Sequence, residues 1–185
     1  MDSDYCDSLK ELIENQYLVS FDFEPLNDLH SWGFVIACNE TFTLINYFDR
    51  DTYSLDGYSI FYNEDVSEYW VHTSEENYLE TKYIKLKGIK PKPIRSFKME
   101  NISTIIESIS KSFSVMKIYR DRLAGDAAVI GKAVELKEKT FQLLGIRNDA
   151  VWKELPSRFR LGDITRIDFD TKYEKILLEV AAEYK

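Results

Sequence analysis

The feature of this 185-residue sequence that most limits its fold is an internal repeat. A shift of 97 residues aligns two apolar stripes with helical spacing, namely Tyr5, Leu9 and Leu12 with Ile102, Ile106 and Ile109. A shift of 98 aligns Asp65, Thr73 and Glu76 with Asp163, Thr171 and Glu174, and a shift of 99 aligns Thr41–Leu44 with Thr140–Leu143. Small offset changes in turns are typical of two copies of one domain. Chance alignment of strongly patterned segments is the alternative.

The apolar patterns predict that each copy contains one helix followed by short β-strands. The helices begin near residue 4 and at Asn101, where a capping side chain precedes an apolar stripe. The predicted strands are rich in aromatic and β-branched residues: 18–23, 32–38, 41–48, 58–62 and 65–71, then 114–120, 127–136, 139–147, a strand near Phe159, and 163–169. Residues 172–184 predict a C-terminal helix. The predicted fold class is therefore mainly β with helices (α+β).

A basic segment that contains prolines separates the two copies. The first part of residues 81–98 predicts a strand, and the second part, with Pro91 and Pro93, predicts a semi-rigid linker. We therefore expect a first unit at residues 1–88, a linker at 89–99 and a second unit at 100–185.

The order of helix and strands, with an early glycine in each second strand (Gly33 and Gly131), resembles the Sm-like small β-barrel. The second copy, with Phe141–Leu143 and Phe159–Ile164, also resembles the Sm-like core of bacterial WYL domains. The resemblance implies two tandem Sm-like/SH3-like barrels, each preceded by a helix. The residues with which Sm proteins hold RNA have no counterpart here, because the loop Glu40–Leu44 lacks the asparagine and the later segment lacks the arginine. The WYL tripeptide is absent too, so no binding residue of either family can be assigned to this chain.

The sequence contains no recognisable catalytic or metal-binding motif. Its two histidines lie near acidic residues, His30 near Asp28 and His72 near Glu75 and Glu76, without the spacing of metal ligands, which predicts surface or strand-edge side chains. The segment 125–132 resembles a phosphate-binding loop but has the wrong glycine spacing and is followed by Ala133 instead of serine or threonine. The acidic turn 49–57 lacks the ligand spacing of a calcium loop. We expect no cofactor, no metal and no catalysis, with an enzyme of unrecognised site as an alternative.

Charge is distributed very unevenly along the chain. Residues 1–80 contain 18 acidic and two basic residues, a net charge of −16, whereas residues 81–185 have a net charge of +8. A field of one sign steers partners of the opposite sign and repels nucleic acid when it is negative. The first copy therefore favours a basic protein partner.

Aromatic residues are concentrated in the same acidic half, where 16 of the 26 lie. Tyrosine and tryptophan are frequent anchors of protein interfaces. The predicted partner-binding residues are Tyr53, Asp56, Tyr58, Tyr62, Glu64, Asp65 and Trp70. An aromatic core beneath a solvated acidic face is the alternative interpretation.

The leading hypothesis for function is a non-catalytic binding protein that docks or neutralises a basic protein, and an immunity protein against a bacterial toxin fits this pattern. The alternative is an Sm-like nucleic-acid-binding or regulatory module that uses the basic segment. Its candidate nucleic-acid-binding residues are Lys85, Lys87, Lys90, Lys92 and Arg95. The same segment is also suited to lie across the acidic copy and offset its repulsion.

The expected location is the cytoplasm, with no membrane association. The N-terminal residues are acidic, the opposite of a signal peptide, and no apolar run is long enough to cross a membrane. Cys6 and Cys38 do not form a recognisable disulfide framework, so both are predicted to be reduced thiols.

Overall fold

The computed structural model describes residues 3–27, 30–73, 78–123 and 128–183. It divides into two compact units, Met1–Arg95 and Ser96–Lys185. The division falls inside the stretch predicted as a linker. The sequence predictions that involve Asp28, Glu75, Glu76 and residues 125–127 lie outside the described residues.

The described part of the first unit contains two α-helices and five strands. Its elements are α1 (Ser3–Asn15), β1 (Leu18–Asp22), β2 (His30–Cys38), β3 (Phe42–Asp49), β4 (Ser54–Tyr62), a 3-10 helix (Asn63–Asp65), β5 (Glu68–His72) and α2 (Leu79–Lys87). The strands are antiparallel and lie in the order β5-β1-β2-β3-β4. Because side chains alternate between the two faces of a strand, each face of this sheet has its own apolar cluster.

One face of the first sheet packs against α1. Leu9 and Leu12 are buried one turn apart on the helix and pack with sheet residues that include Phe21, Ile45 and Phe61. The opposite face carries a second cluster around Leu18, Phe34 and Phe48, against which Tyr53, Ile84 of α2 and Ile89 pack. The sheet is therefore covered on both sides, which fits the near-continuous burial of β1 and β3.

The second unit repeats the arrangement of the first. It contains α3 (Ile102–Ser112), β6 (Met116–Tyr119), β7 (Val129–Leu136), β8 (Thr140–Gly145), β9 (Ser157–Arg160), a 3-10 helix (Leu161–Asp163), β10 (Arg166–Phe169) and α4 (Lys172–Glu183). Asn101 caps α3 in a reciprocal capping box with Thr104, as the sequence predicts. The strand order β10-β6-β7-β8-β9 places the fifth strand beside the first, as in the first unit.

The two sheets share details of register that chance alignment would not produce. Gly33 lies opposite Tyr47, and Gly131 lies opposite Gly145, a constant offset of 98 residues. Each second strand also has a bulge that begins two residues after this glycine, between Val35 and Ala37 and between Ala133 and Glu135. The shift of 99 predicted for the third strand is therefore wrong, because Thr43 corresponds to Phe141 at an offset of 98.

The α+β fold class is confirmed, but closed barrels are not. Within the described residues, no pairing joins β5 to β4 or β10 to β9, so each five-stranded sheet is open. The strand predicted after residue 81 is also wrong, because Leu79–Lys87 is the helix α2. Gly88 ends this helix in the left-handed conformation (φ 60°), where its N–H donates to the carbonyls of Ile84 and Lys85.

The glycines at the repeated position permit close contact between the second and third strands. A Cβ built on Gly33 would lie 2.7 Å from the Asn46 carbonyl oxygen, and one on Gly131 would lie 2.9 Å from the Gly145 Cα. We expect Gly131→Ala to lower the free energy of unfolding by about 1–3 kcal/mol because the strands must separate. Urea unfolding measures this change. Gly162→Ala is the matched control, since nothing lies within 4 Å of its added Cβ, and equal effects of the two variants would contradict the assignment.

The cysteines correct a prediction made from the sequence. Cys6 of α1 and Cys38 of β2 form a disulfide with a Cα–Cα distance of 5.9 Å, and neither is a free thiol. Sequence spacing did not reveal the pair because α1 folds back over the sheet. Since disulfides persist mainly in oxidising environments, the pairing removes one ground for the predicted cytoplasmic location.

Candidate functional site

The predicted partner-binding aromatics of β4 and its preceding turn serve the fold. Tyr58 is buried, and its hydroxyl donates to the Lys92 carbonyl oxygen at 3.0 Å. Tyr53 belongs to the second apolar cluster and meets Phe48 edge-on. Tyr62 packs on Phe42 with ring centroids 4.6 Å apart. These residues match the alternative interpretation of an aromatic core more closely than that of a docking surface.

The remaining predicted residues do not form one patch. Asp56 lies half-buried on β4, Glu64 and Asp65 lie in the 3-10 helix, and Trp70 lies on β5. Three strands separate β5 from β4 in the sheet order, which corresponds to about 19 Å at the usual strand spacing. The structure therefore separates Trp70 from Asp56, while Glu64 and Asp65 lie in the segment that connects β4 to β5.

The strand β5 is an open edge of the first sheet. Among the described residues it pairs only with β1. Glu68 and Trp70 are two positions apart, so their side chains lie on the same face of the strand. Both are exposed, with 43% of Trp70 accessible to solvent. A strand edge with unpaired backbone groups is a ready site for an added strand.

Helix α1 places acidic side chains beside this edge. The Tyr69 hydroxyl of β5 hydrogen-bonds the Ser8 hydroxyl at 2.8 Å, which fixes the helix next to the strand. Glu11 lies one turn after Ser8, and Glu14 follows it, both exposed. The one basic residue of the helix, Lys10, is neutralised by Asp7 at 2.6 Å. One face of β5 is therefore bordered by the acidic residues of α1, and the other face carries Glu68 and Trp70.

An aromatic and charged ladder lies on the same face of the sheet as Trp70. His72 stacks on Trp32 with ring centroids 4.2 Å apart, and the Arg50 guanidinium lies 4.3 Å from the Trp32 ring centre. Arg50 also donates to the Glu80 carboxylate at 2.7 and 2.9 Å. Burial opposes ionisation of Glu80, but the hydrogen bond from its own backbone N–H, together with the hydrogen bond and charge of Arg50, holds its pKa below the usual value. The ladder ties α2 to the sheet.

The histidines therefore have different surroundings. His30 is exposed and contacts the Asp22 carboxylate, as a surface histidine would. His72 lies in the edge strand but is buried, and its Nε2 meets the Ser20 hydroxyl at 2.9 Å. The sequence showed only neighbouring acids for His72. Its stacking partner Trp32 is 40 positions away and becomes a neighbour only through the pairing of β1 with both β2 and β5.

The basic segment belongs to the acidic unit. Lys85 and Lys87 lie on α2, and Lys90, Lys92 and Arg95 lie on the extended segment after it, all exposed. The Lys92 N–H donates to the Asn46 side-chain oxygen at 3.0 Å, and Ile89 packs into the second apolar cluster. Residues 89–92 are thus bound to the first sheet, and their positive charges lie on the unit that carries the negative excess.

Comparisons with protein-family models, curated protein sequences and solved structures gave no match. In the described ranges, no group of three or more histidine, cysteine, aspartate or glutamate side chains is arranged to hold a metal ion. No helix in the described part of the chain has the length and apolar character needed to cross a membrane.

Proposed function

We propose that this chain is a non-catalytic binding protein whose first unit docks a basic protein partner along the β5 edge. The observation that carries the proposal is the open strand β5, with exposed Glu68 and Trp70 and the acidic helix α1 beside it. A partner that adds a basic extended segment would gain backbone hydrogen bonds from the strand and charge complementarity from its borders.

The distribution of charge supports a protein partner over nucleic acid for this unit. Residues 1–95 contain 18 acidic and eight basic residues, a net charge of −10. Such a field accelerates encounter with a cationic surface and repels phosphates. Trp70 supplies the large apolar contact that charge alone lacks, since tryptophans are common hot spots of interfaces.

An immunity protein that neutralises a bacterial toxin is the particular role that this design fits. Inhibition of that kind requires a complementary surface and fast association, and it needs no catalytic group. This role includes a cytoplasmic location. Because disulfides are rare in reducing compartments, that location requires Cys6 and Cys38 to be reduced in the cell.

Charge reversal at the edge tests the proposal. We expect Glu68→Lys with Glu64→Lys to slow association with the basic partner at low salt, and Trp70→Ala to weaken the complex by about 2 kcal/mol or more. Surface plasmon resonance against the isolated partner separates the two effects, because charge changes act on association and an anchor acts on dissociation.

The matched control reverses two exposed acids of the second unit, Glu154→Lys with Glu179→Lys. This variant has the same net charge as the edge variant. If both double variants slow association equally, total charge is responsible and the β5 edge is not the docking site.

A second candidate is an Sm-like regulatory or nucleic-acid-binding module. The repeated order of helix, four strands, 3-10 helix and final strand, with Gly33 and Gly131 at equal registers, supports the Sm-like relationship. The exposed cations from Lys85 to Arg95 would be its binding residues. Salt-sensitive binding of labelled RNA that is lost on Lys90→Ala with Arg95→Ala would favour this candidate.

A further inference from the structure

A cationic cleft of about 540 Å³ opens on the second unit, and its lining residues belong to none of the elements that carry the proposed docking edge. Its volume lies in the range of pockets that hold small molecules. Among the described residues that line it, three are basic (Lys117, Arg147 and Lys153) and none is acidic. The unit itself has a net charge of only +2 over residues 96–185, so this concentration of positive charge is local.

Local structure fixes two of the three basic residues, Lys153 and Lys117, around the cleft. Lys153 follows an isolated bridge between Ile146 and Trp152, and its N–H donates to the Gly145 carbonyl oxygen at 2.8 Å. Its stem crosses Gly145, where an added Cβ would lie 3.2 Å from the Lys153 Cδ. Lys117 comes from the middle of β6, and its ammonium lies 4.8 Å from the centre of the Tyr119 ring.

The charges of the cleft are only partly neutralised. Asp149 accepts two hydrogen bonds from Arg147, at 2.6 and 3.0 Å, which leaves the other N–H groups of that guanidinium for a ligand. Asp168 lies opposite Lys117 in the β10–β6 register. No carboxylate pairs with the Lys153 ammonium among the described residues, and the residue is exposed.

The rest of the lining is apolar and aromatic. Val129, Ile130 and Ile146 form one wall, and the half-exposed ring of Tyr173 on α4 forms another. The Tyr173 hydroxyl reaches the Asn148 side-chain oxygen at 3.4 Å. A ligand that satisfies this lining has an anionic group at one end and a flat, weakly polar group at the other.

We infer that the cleft binds a mononucleotide, with the phosphate held by Lys153, Lys117 and Arg147 and the base placed against Tyr173 and the apolar wall. Lysine and arginine are the usual phosphate ligands of proteins, and an aromatic ring stacks on any base. The cleft lies in the second unit, so this inference does not depend on the proposal that the β5 edge of the first unit docks a protein.

Titration of the full chain with AMP, adenosine and inorganic phosphate tests the inference by calorimetry at low and moderate salt. We expect AMP to bind with one-to-one stoichiometry, inorganic phosphate to compete with it, and adenosine to bind at least about tenfold more weakly. Lys153→Ala should weaken AMP binding about tenfold or more. Because Lys153 is exposed, the variant should unfold at the same temperature as the wild type.

The control is Lys139→Ala, which removes the same charge near the opposite end of β8, about 20 Å away along the strand. It should leave the affinity for AMP unchanged. Absence of AMP binding at low salt, or equal loss in the two variants, would overturn the inference. Lys153-dependent binding of single-stranded RNA that AMP does not displace would also overturn it, since the cleft would then recognise a strand and not a mononucleotide.

Discussion

Glu174→Gln should make the protein more stable at alkaline pH and leave its stability almost unchanged at acidic pH. Glu174 is buried in the first turn of α4. One carboxylate oxygen accepts from the Thr171 N–H at 3.2 Å, and the other has no hydrogen-bond partner among the described residues. A carboxylate in this position lacks the solvation that an ionised group requires.

The pKa of Glu174 determines the direction of the effect. Burial raises this pKa to about 8, and the charges of Asp168 and Asp170 add to the shift, while the Thr171 N–H and Lys117 oppose it. The folded protein therefore retains a proton that the unfolded chain has released. Stability is complete below the unfolded pKa, near the ordinary value of 4.5, and decreases as pH rises toward the folded pKa.

Glutamine keeps the acceptor for Thr171 but does not ionise. We therefore expect the variant to exceed the wild type by about 3–5 kcal/mol in free energy of unfolding at about pH 9, and by less than about 1 kcal/mol at about pH 5. Urea unfolding at a series of pH values measures the difference. Glu179→Gln, an exposed position on the same helix, should give a small difference that does not vary with pH. A pH-independent difference for Glu174→Gln would contradict the account of its burial.

Removal of the Cys6–Cys38 disulfide should also have a large effect. The bridge joins residues 32 positions apart, and in the chain-entropy description closure of such a loop stabilises the folded state by about 3–4 kcal/mol. The double variant Cys6→Ser, Cys38→Ser, and the wild type after reduction, should therefore unfold at similarly lower urea concentrations.

Mass spectrometry checks the bond itself, because the unreduced protein should be two hydrogen atoms lighter than the reduced form. The reductant should have no effect on the double variant, which serves as its control. Two labelled thiols in the unreduced protein, or equal stability with and without the cysteines, would contradict the assignment.

The repeat was the part of the fold most accessible from the sequence. Apolar periodicity placed most of the helices and strands, since burial on one face leaves a pattern with a period of about 3.6 or 2 residues. The predicted register of the third strand was wrong by one residue. Thr41–Leu44 and Thr140–Leu143 have similar sequences, but the observed pairing, with a bulge in each second strand, relates the two strands at a different offset. A bulge has no sequence signature of its own.

The sites were less predictable because they depend on long-range pairing. Tyr58 and Trp70 have similar sequence surroundings, yet Tyr58 is buried and Trp70 is exposed. Trp32, His72 and Arg50 come from β2, from β5 and from the position directly after β3. The basic residues and the tyrosine of the cleft come from β6, the segment after β8 and α4. The helix α2 was missed because the first part of residues 81–98 was predicted as a strand, although Gly88 is the usual kind of helix terminator.

The measurement that most directly tests the central claim is a quantitative pull-down with the intact chain, the β5-edge variant and its charge-matched control, at two salt concentrations. We predict that one basic protein is recovered in stoichiometric amount by the wild type and the control, less at high salt, and not by the Glu64→Lys, Glu68→Lys variant. Equal recovery by all three proteins, or recovery of RNA without a basic protein, would contradict the proposal that the acidic edge is a docking site.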